Sequence, residues 1–198
     1  MLPSLLYSLF ILADTAFAST IITATSDATD PNDVDEMVAD IIPAFVQGNN
    51  EPYVQRLASD LSPIGSPILV STTKLLDLNP NLYSLSELAN GGFIYTWDGG
   101  TDAFNSNGIT AQRFDALGNK VGSEFIVNTT TAGGQHGMSV DNFSDGGFIV
   151  SWVDATGTRY QRFNADSTRN GTEVLVTSNT TGSSGGSEPK VRVFADDS

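Results

Sequence analysis

Bulky apolar side chains alternate along two short runs of this chain. Phe93, Tyr95 and Trp97 fall on one face of an extended segment, and Phe148, Val150 and Trp152 fall on one face of another, 55 residues on. The opposite faces carry Ile94 with Thr96 and Ile149 with Ser151. Alternation with a period of two predicts strands. A strand apolar on both faces is buried on both, as in stacked sheets or propeller blades. Each run opens on Gly-Gly, at Gly91-Gly92 and Gly146-Gly147, and is followed by Gln-Arg-Phe, at Gln112–Phe114 and Gln161–Phe163. An earlier echo is Gln55-Arg56-Leu57. After each Gln-Arg comes a turn, then an apolar triplet and a Thr-rich tail: Ile68-Leu69-Val70, Phe125-Ile126-Val127 and Val174-Leu175-Val176 are the triplets.

The pattern predicts four strands per unit. In the middle unit they cover Leu82–Leu88, Gly92–Trp97, Ile109–Phe114 and Glu124–Asn128. In the third they cover Met138–Phe143, Gly147–Val153, Thr158–Phe163 and Glu173–Thr177. Pro189 to Phe194 matches the first strand of a fourth unit. A period near 50 residues means supersecondary units that bury their apolar faces only by stacking. The expected fold is all-β: about three four-stranded tandem repeats of propeller-blade type, with an N-terminal extension. The alternative is a closed three-fold arrangement such as a trefoil. The expected organisation is 1–18, 19–43 and a β-repeat domain over 44–198.

The N-terminal residues change the picture of location. Leu5 to Leu12 is an apolar run too short to span a bilayer. With Ala16-Phe17-Ala18 it reads as a signal peptide, although no Lys or Arg precedes it; the rival is an apolar arm kept in the mature protein. Thr20 to Thr25 is β-branched and reads as a strand similar to the last strand of each unit. From Ser26 to Asp40 the chain is acidic. A short helix starting at Asp30-Pro31 and ending before Pro43 competes there with a degenerate first strand at Val34–Met37.

Charge narrows the partners. Lys plus Arg number 9 against 23 Asp plus Glu, a net charge of −14 over 198 residues. Such a chain does not bind nucleic acid by neutralising phosphate. It has no cysteine, which removes disulfides, thiolate metal sites and a cysteine nucleophile.

The two motifs Gly-Gly-Phe-Ile-x-x-Trp and Gln-Arg-Phe-Asp-Ala-x-Gly-Asn-x-Val-Gly-x-Glu-Phe-x-Val-Asn-Thr, the latter at Gln112 to Thr129, resemble tandem repeats of large secreted bacterial proteins of the hemolysin-type calcium-binding and cadherin-like adhesin kind. The resemblance covers Pro67 to Phe194. It implies an extracellular, cell-surface module. Calcium binding does not carry over, because the chain lacks the Gly-Gly-x-Gly-x-Asp nonapeptides of those proteins.

Candidate chemistry is sparse. His136 is the single histidine, and no Gly-x-Ser-x-Gly elbow accompanies it, so no enzyme is expected. Between Trp97 and Gln112 the middle unit is six residues longer than the third, and the insertion is rich in oxygen ligands. Asp98, Asp102, Asn105 and Asn107 form a candidate Ca2+ site without EF-hand spacing; Asp27, Asp30, Asp33 and Asp35 form a weaker one. Arg56, Arg113 and Arg162 recur at one place in the repeat, which argues for a repeated structural job such as pairing with a carboxylate across strands. Asn128, Asn142, Asn170 and Asn179 open Asn-x-Ser/Thr sequons. The expected function is an extracellular structural protein, the β-repeat subunit of a surface fibre or adhesin. Its copies would join head-to-tail through the N-terminal strand. The alternatives are a calcium- or glycan-binding adhesion module and, third, a secreted hydrolase. The expected partners are copies of itself, with glycans or a cell surface besides, and no membrane span.

Overall fold

The computed structural model describes residues 44–47, 51–58, 62–71, 83–101, 107–131, 133–178 and 189–194. The leader, the Thr20–Thr25 strand, the acidic stretch with its helix, and Asp102 and Asn105 lie outside the described residues. What is described is all-β, with no helix. Three antiparallel meanders follow one another. The first holds β1 (Ala44–Gln47), β2 (Glu51–Leu57) and β3 (Pro63–Leu69), in that order. The second holds β4 (Tyr83–Glu87), β5 (Phe93–Thr101), β6 (Asn107–Phe114) and β7 (Lys120–Ile126). The third holds β8 (His136–Asn142), β9 (Phe148–Asp154), β10 (Gly157–Phe163) and β11 (Arg169–Ser178). Each sheet has an open strand order, so no closed barrel forms and the trefoil alternative is excluded for the described residues.

The register repeats between the second and third sheets at the aromatic positions. Phe93 lies opposite Phe114 and Phe148 opposite Phe163. The ring pairs stack at centroid separations of 4.5 and 4.9 Å. Trp97 and Trp152 are both fully buried. The second glycine of each Gly-Gly follows from this packing. A Cβ on Gly92 would meet the Phe114 carbonyl oxygen at 2.3 Å, and one on Gly147 would meet that of Phe163 at 2.6 Å.

The outer strands start earlier than the apolar triplets suggest, at Lys120 and Arg169 rather than Glu124 and Glu173. The reason is a bulge. Pairing of the last two strands shifts register at Gln55, Gln112 and Gln161 in the three sheets. A bulge leaves carbonyls without ladder partners. The glutamine fills the gap. Its Nε2 donates at 2.8 Å to the next carbonyl, of Arg56, Arg113 or Arg162. It also reaches the facing pairs Ile64/Gly65, Val121/Gly122 and Asn170/Gly171. Gly65, Gly122 and Gly171 take φ of 69°, 72° and 76°, a region that glycine enters without steric cost. The Gln in Gln-Arg-Phe is therefore a built-in donor for a bulge.

The cores lie between sheets rather than within them. One cluster joins Val54 and Val70 of the first unit to Phe93, Tyr95, Trp97 and Phe114 of the second. The other joins Ile94, Ile109, Ala111 and Val127 of the second to Phe148, Val150, Trp152 and Phe163 of the third. The second sheet thus has an aromatic rear face and an aliphatic front face. The front of one unit covers the rear of the next. Ile68 packs in the first layer and Phe125 in the second, where it meets Phe148 and Phe163.

Because Trp97 and Trp152 occupy equivalent sites in successive layers, Trp97→Ala and Trp152→Ala should each cost about 3–5 kcal/mol of unfolding free energy, the usual range for truncating a buried aromatic. Urea titration followed by circular dichroism measures this. A loss confined to one of the two would break the equivalence.

Candidate functional site

Polar side chains join successive units along a seam. Along the seam the first strand of one unit runs beside the first strand of the next. Ser84 Oγ in β4 accepts from the Val140 N–H in β8 at 3.2 Å. One unit on, Ser139 Oγ in β8 accepts from the Val191 N–H at 3.3 Å, and Asp141 Oδ2 accepts from the Val193 N–H at 2.8 Å. Ser84 faces Thr96 and Ser139 faces Ser151 in the ladders, so the two serines are equivalent. The segment Pro189–Phe194 therefore lies where a fourth unit's first strand would lie. It joins no sheet, because its described partners are side-chain oxygens rather than a backbone ladder.

Two further clamps tie the second unit to the third. Glu173 Oε2 in β11 accepts from the N–H groups of Thr129 and Thr130 at 2.7 and 3.1 Å. Hydrogen bonds to Thr129 and Thr130 outweigh burial and hold its carboxyl below the usual range, although burial alone is the largest single influence and acts upward. Arg169 donates to the Ile126 carbonyl at 2.7 Å. Within the third unit, Arg159 bridges Asp154 at 2.5 Å and Glu173 at 3.1 Å.

The repeated arginines do two jobs, not one. Arg162 pairs with Asp145 at 2.9 Å and lies 3.9 Å from the centre of the Phe143 ring. That fits the expected carboxylate partner. Arg113 instead donates to the Ala165 carbonyl in the third unit, because Asn90 stands in the second unit where Asp145 stands in the third. Arg56 Cδ lies against the Gly118 turn of the following unit. So the arginine reaches forward where another unit follows.

Of the four candidate calcium ligands, the described residues hold two. Asp98 is in β5 and Asn107 opens β6, paired through the backbone with Thr101; the six-residue insertion thus falls at the tip of this hairpin. The matching hairpin of the third unit closes tightly, with Asp154 Oδ1 accepting from the N–H groups of Thr156 and Gly157 at 2.7 and 3.0 Å. Asp98 is buried, with 4% exposure, and its Oδ1 has no hydrogen-bond partner among the described residues. Burial pushes its carboxyl up to about 6, and the His136 imidazole works against that rise. Among the described residues no group of three or more His, Asp or Glu side chains is placed to hold a metal ion. His136 opens β8 opposite Val153.

One sequon is corrected. Asn128 is buried. Its Oδ1 accepts from the Ile109 N–H at 2.9 Å and its Nδ2 donates to Thr130 and Gln135. A side chain so engaged has no amide free for a glycan. Asn170 is exposed and Asn142 half-buried; Asn179 lies outside the described residues. Among the described residues there is no helix long and apolar enough to cross a membrane.

A raised carboxyl pKa means that the folded chain holds a proton which the unfolded chain has released, between about pH 6 and the ordinary aspartate value near 3.8. The unfavourable burial of Asp98 is then felt fully above pH 6 and is relieved as pH falls toward 4. Asp98→Asn should raise the melting temperature at pH 7.5. The difference from the parent should shrink steadily by pH 4.5. A difference independent of pH would show that the carboxyl is not buried as described.

Compared with known proteins, the chain matches no family model and no curated protein.

Proposed function

We propose that this chain is an extracellular structural protein, a β-repeat subunit of a surface fibre or adhesin whose copies join head-to-tail. The observation that carries the reading is the repeated seam. The contact from Ser84 to Val140 recurs from Ser139 to Val191, with the same parts in the same order. A contact that repeats front to back is heterologous, and heterologous contacts extend into filaments unless they close into a ring. The resemblance to secreted adhesin repeats and the net charge of −14 fit a soluble chain displayed outside the cell. Negative-stain imaging of purified protein at physiological ionic strength tests this. Filaments of uniform width are expected. Isolated particles of single-chain size at every concentration would end the fibre reading.

A second reading, an adhesion module that binds calcium, is favoured by the buried Asp98 Oδ1 without a hydrogen-bond donor. A native-state ligand raises the melting temperature by mass action. Millimolar Ca2+ should then raise that of the parent and not that of Asp98→Ala or Asp102→Ala. No rise in the parent would remove this alternative.

A further inference from the structure

The front faces of the three units correspond in sequence but not in exposure, and the third departs in register as well: a second shift between Thr158 and Arg159 sets Thr177 rather than Val176 opposite Thr158. In the first two units the last triplet is covered: Val70 and Val127 are both 0% exposed. Val176, which matches them in sequence and is the extra residue of that bulge, is 57% exposed, and Val174, the register counterpart of Ile68 and Phe125, is 37% exposed. The difference extends across the sheet. Ile94, Ile109 and Ala111 of the second unit are fully buried, whereas Ile149, Thr158 and Tyr160 at the same places in the third are only partly buried. Arg162, whose counterpart Arg113 reaches the next unit, folds back over its own Phe143. Meanwhile residues 189–194 are seated along β8 where the first strand of a further unit belongs. The first sheet has the opposite deficit. Among the described residues its order is β1-β2-β3, with no strand at the place that β4 and β8 fill beside β5 and β9.

We infer that the front face of the third unit, centred on Val174 and Val176, is a docking surface for the first sheet of a second copy of this chain, with residues 189–194 lying beside that sheet at the place that β4 and β8 hold in the other two. The inference rests on the head-to-tail reading and names its surface. Continuity with the two existing layers decides the occupant. In both, the face carrying this triplet is covered by the rear of a like sheet. In the first sheet, Phe45 and Leu57 stand at the register positions of the Trp and Phe that supply the rear in the other two. Main-chain pairing to an added strand supplies affinity, and the apolar face supplies register.

The absence of cysteine makes a site-directed test clean. Val176→Cys carries a thiol-linked benzophenone, and labelled chains are mixed with 15N chains before irradiation and peptide mapping. Cross-links joining the two isotopic forms, and landing within residues 44–58, are expected. Cross-links confined to one chain, or running only between two third units, would overturn the inference. In parallel, Val174→Glu/Val176→Glu should weaken association at least tenfold by sedimentation, while Leu117→Glu, at an exposed turn, should not. Filaments that persist unchanged in the double glutamate variant would refute this surface and leave the fibre reading intact. Dimers cross-linked through position 176 in a preparation without filaments would keep the surface and refute the fibre.

Discussion

Among the described residues no sheet has a core of its own. The second and third sheets bury their aromatic rears against the aliphatic front of the sheet before them, and the two hydrophobic clusters sit in those layers. Everything else serves this stacking. Open antiparallel meanders let sheets lie face to face, as sandwiches and propeller blades do. Burying Phe, Tyr and Trp in the layers supplies the main favourable term, at roughly 25 cal/mol per Å2 of apolar surface removed from water. The consequence is that a face without a neighbouring sheet keeps its apolar residues in solvent, as the exposed Val176 does here.

The polar residues that recur are instruments of the same architecture. The glutamine of Gln-Arg-Phe satisfies carbonyls that a bulge would strand, and the bulge bends the outer strand where its triplet leans toward the next unit. The seam serine accepts a backbone N–H from the following unit. Glu173 and Arg169 grip the tail of the unit before them, at Ile126 to Thr130. Arg159 pairs with Asp154 and Glu173, and Arg162 with Asp145, inside the third unit. That leaves Asp98 as the unusual one: a buried carboxyl with an unpaired oxygen, beside a hairpin lengthened by six residues.

Part of the candidate site was legible in the sequence and part was not. The oxygen-rich insertion was visible from the unequal spacing of Trp and Gln in two units, and the structure puts Asp98 and Asn107 on the two strands that flank it. That Asp98 is buried was invisible, because burial depends on β8 of the next unit packing alongside. The sequons illustrate the opposite error. Asn128 fits the acceptor pattern, yet its amide is consumed by Ile109, Thr130 and Gln135. A three-residue pattern carries no information on whether a side chain faces solvent.

The sequence by itself determined the units, their strand faces and their turns. Period-two alternation, Gly-Gly and Gln-Arg-Phe are local signals, and they reappear in register as the stacked pairs Phe93–Phe114 and Phe148–Phe163. Tertiary structure alone decided which face of a sheet meets which. It gave Arg113 and Arg162 different partners, and it left Val176 exposed while burying Val127. The physical reason is that a repeat writes similar residues into every unit, whereas burial depends on neighbours, and the neighbours of matching residues differ from unit to unit.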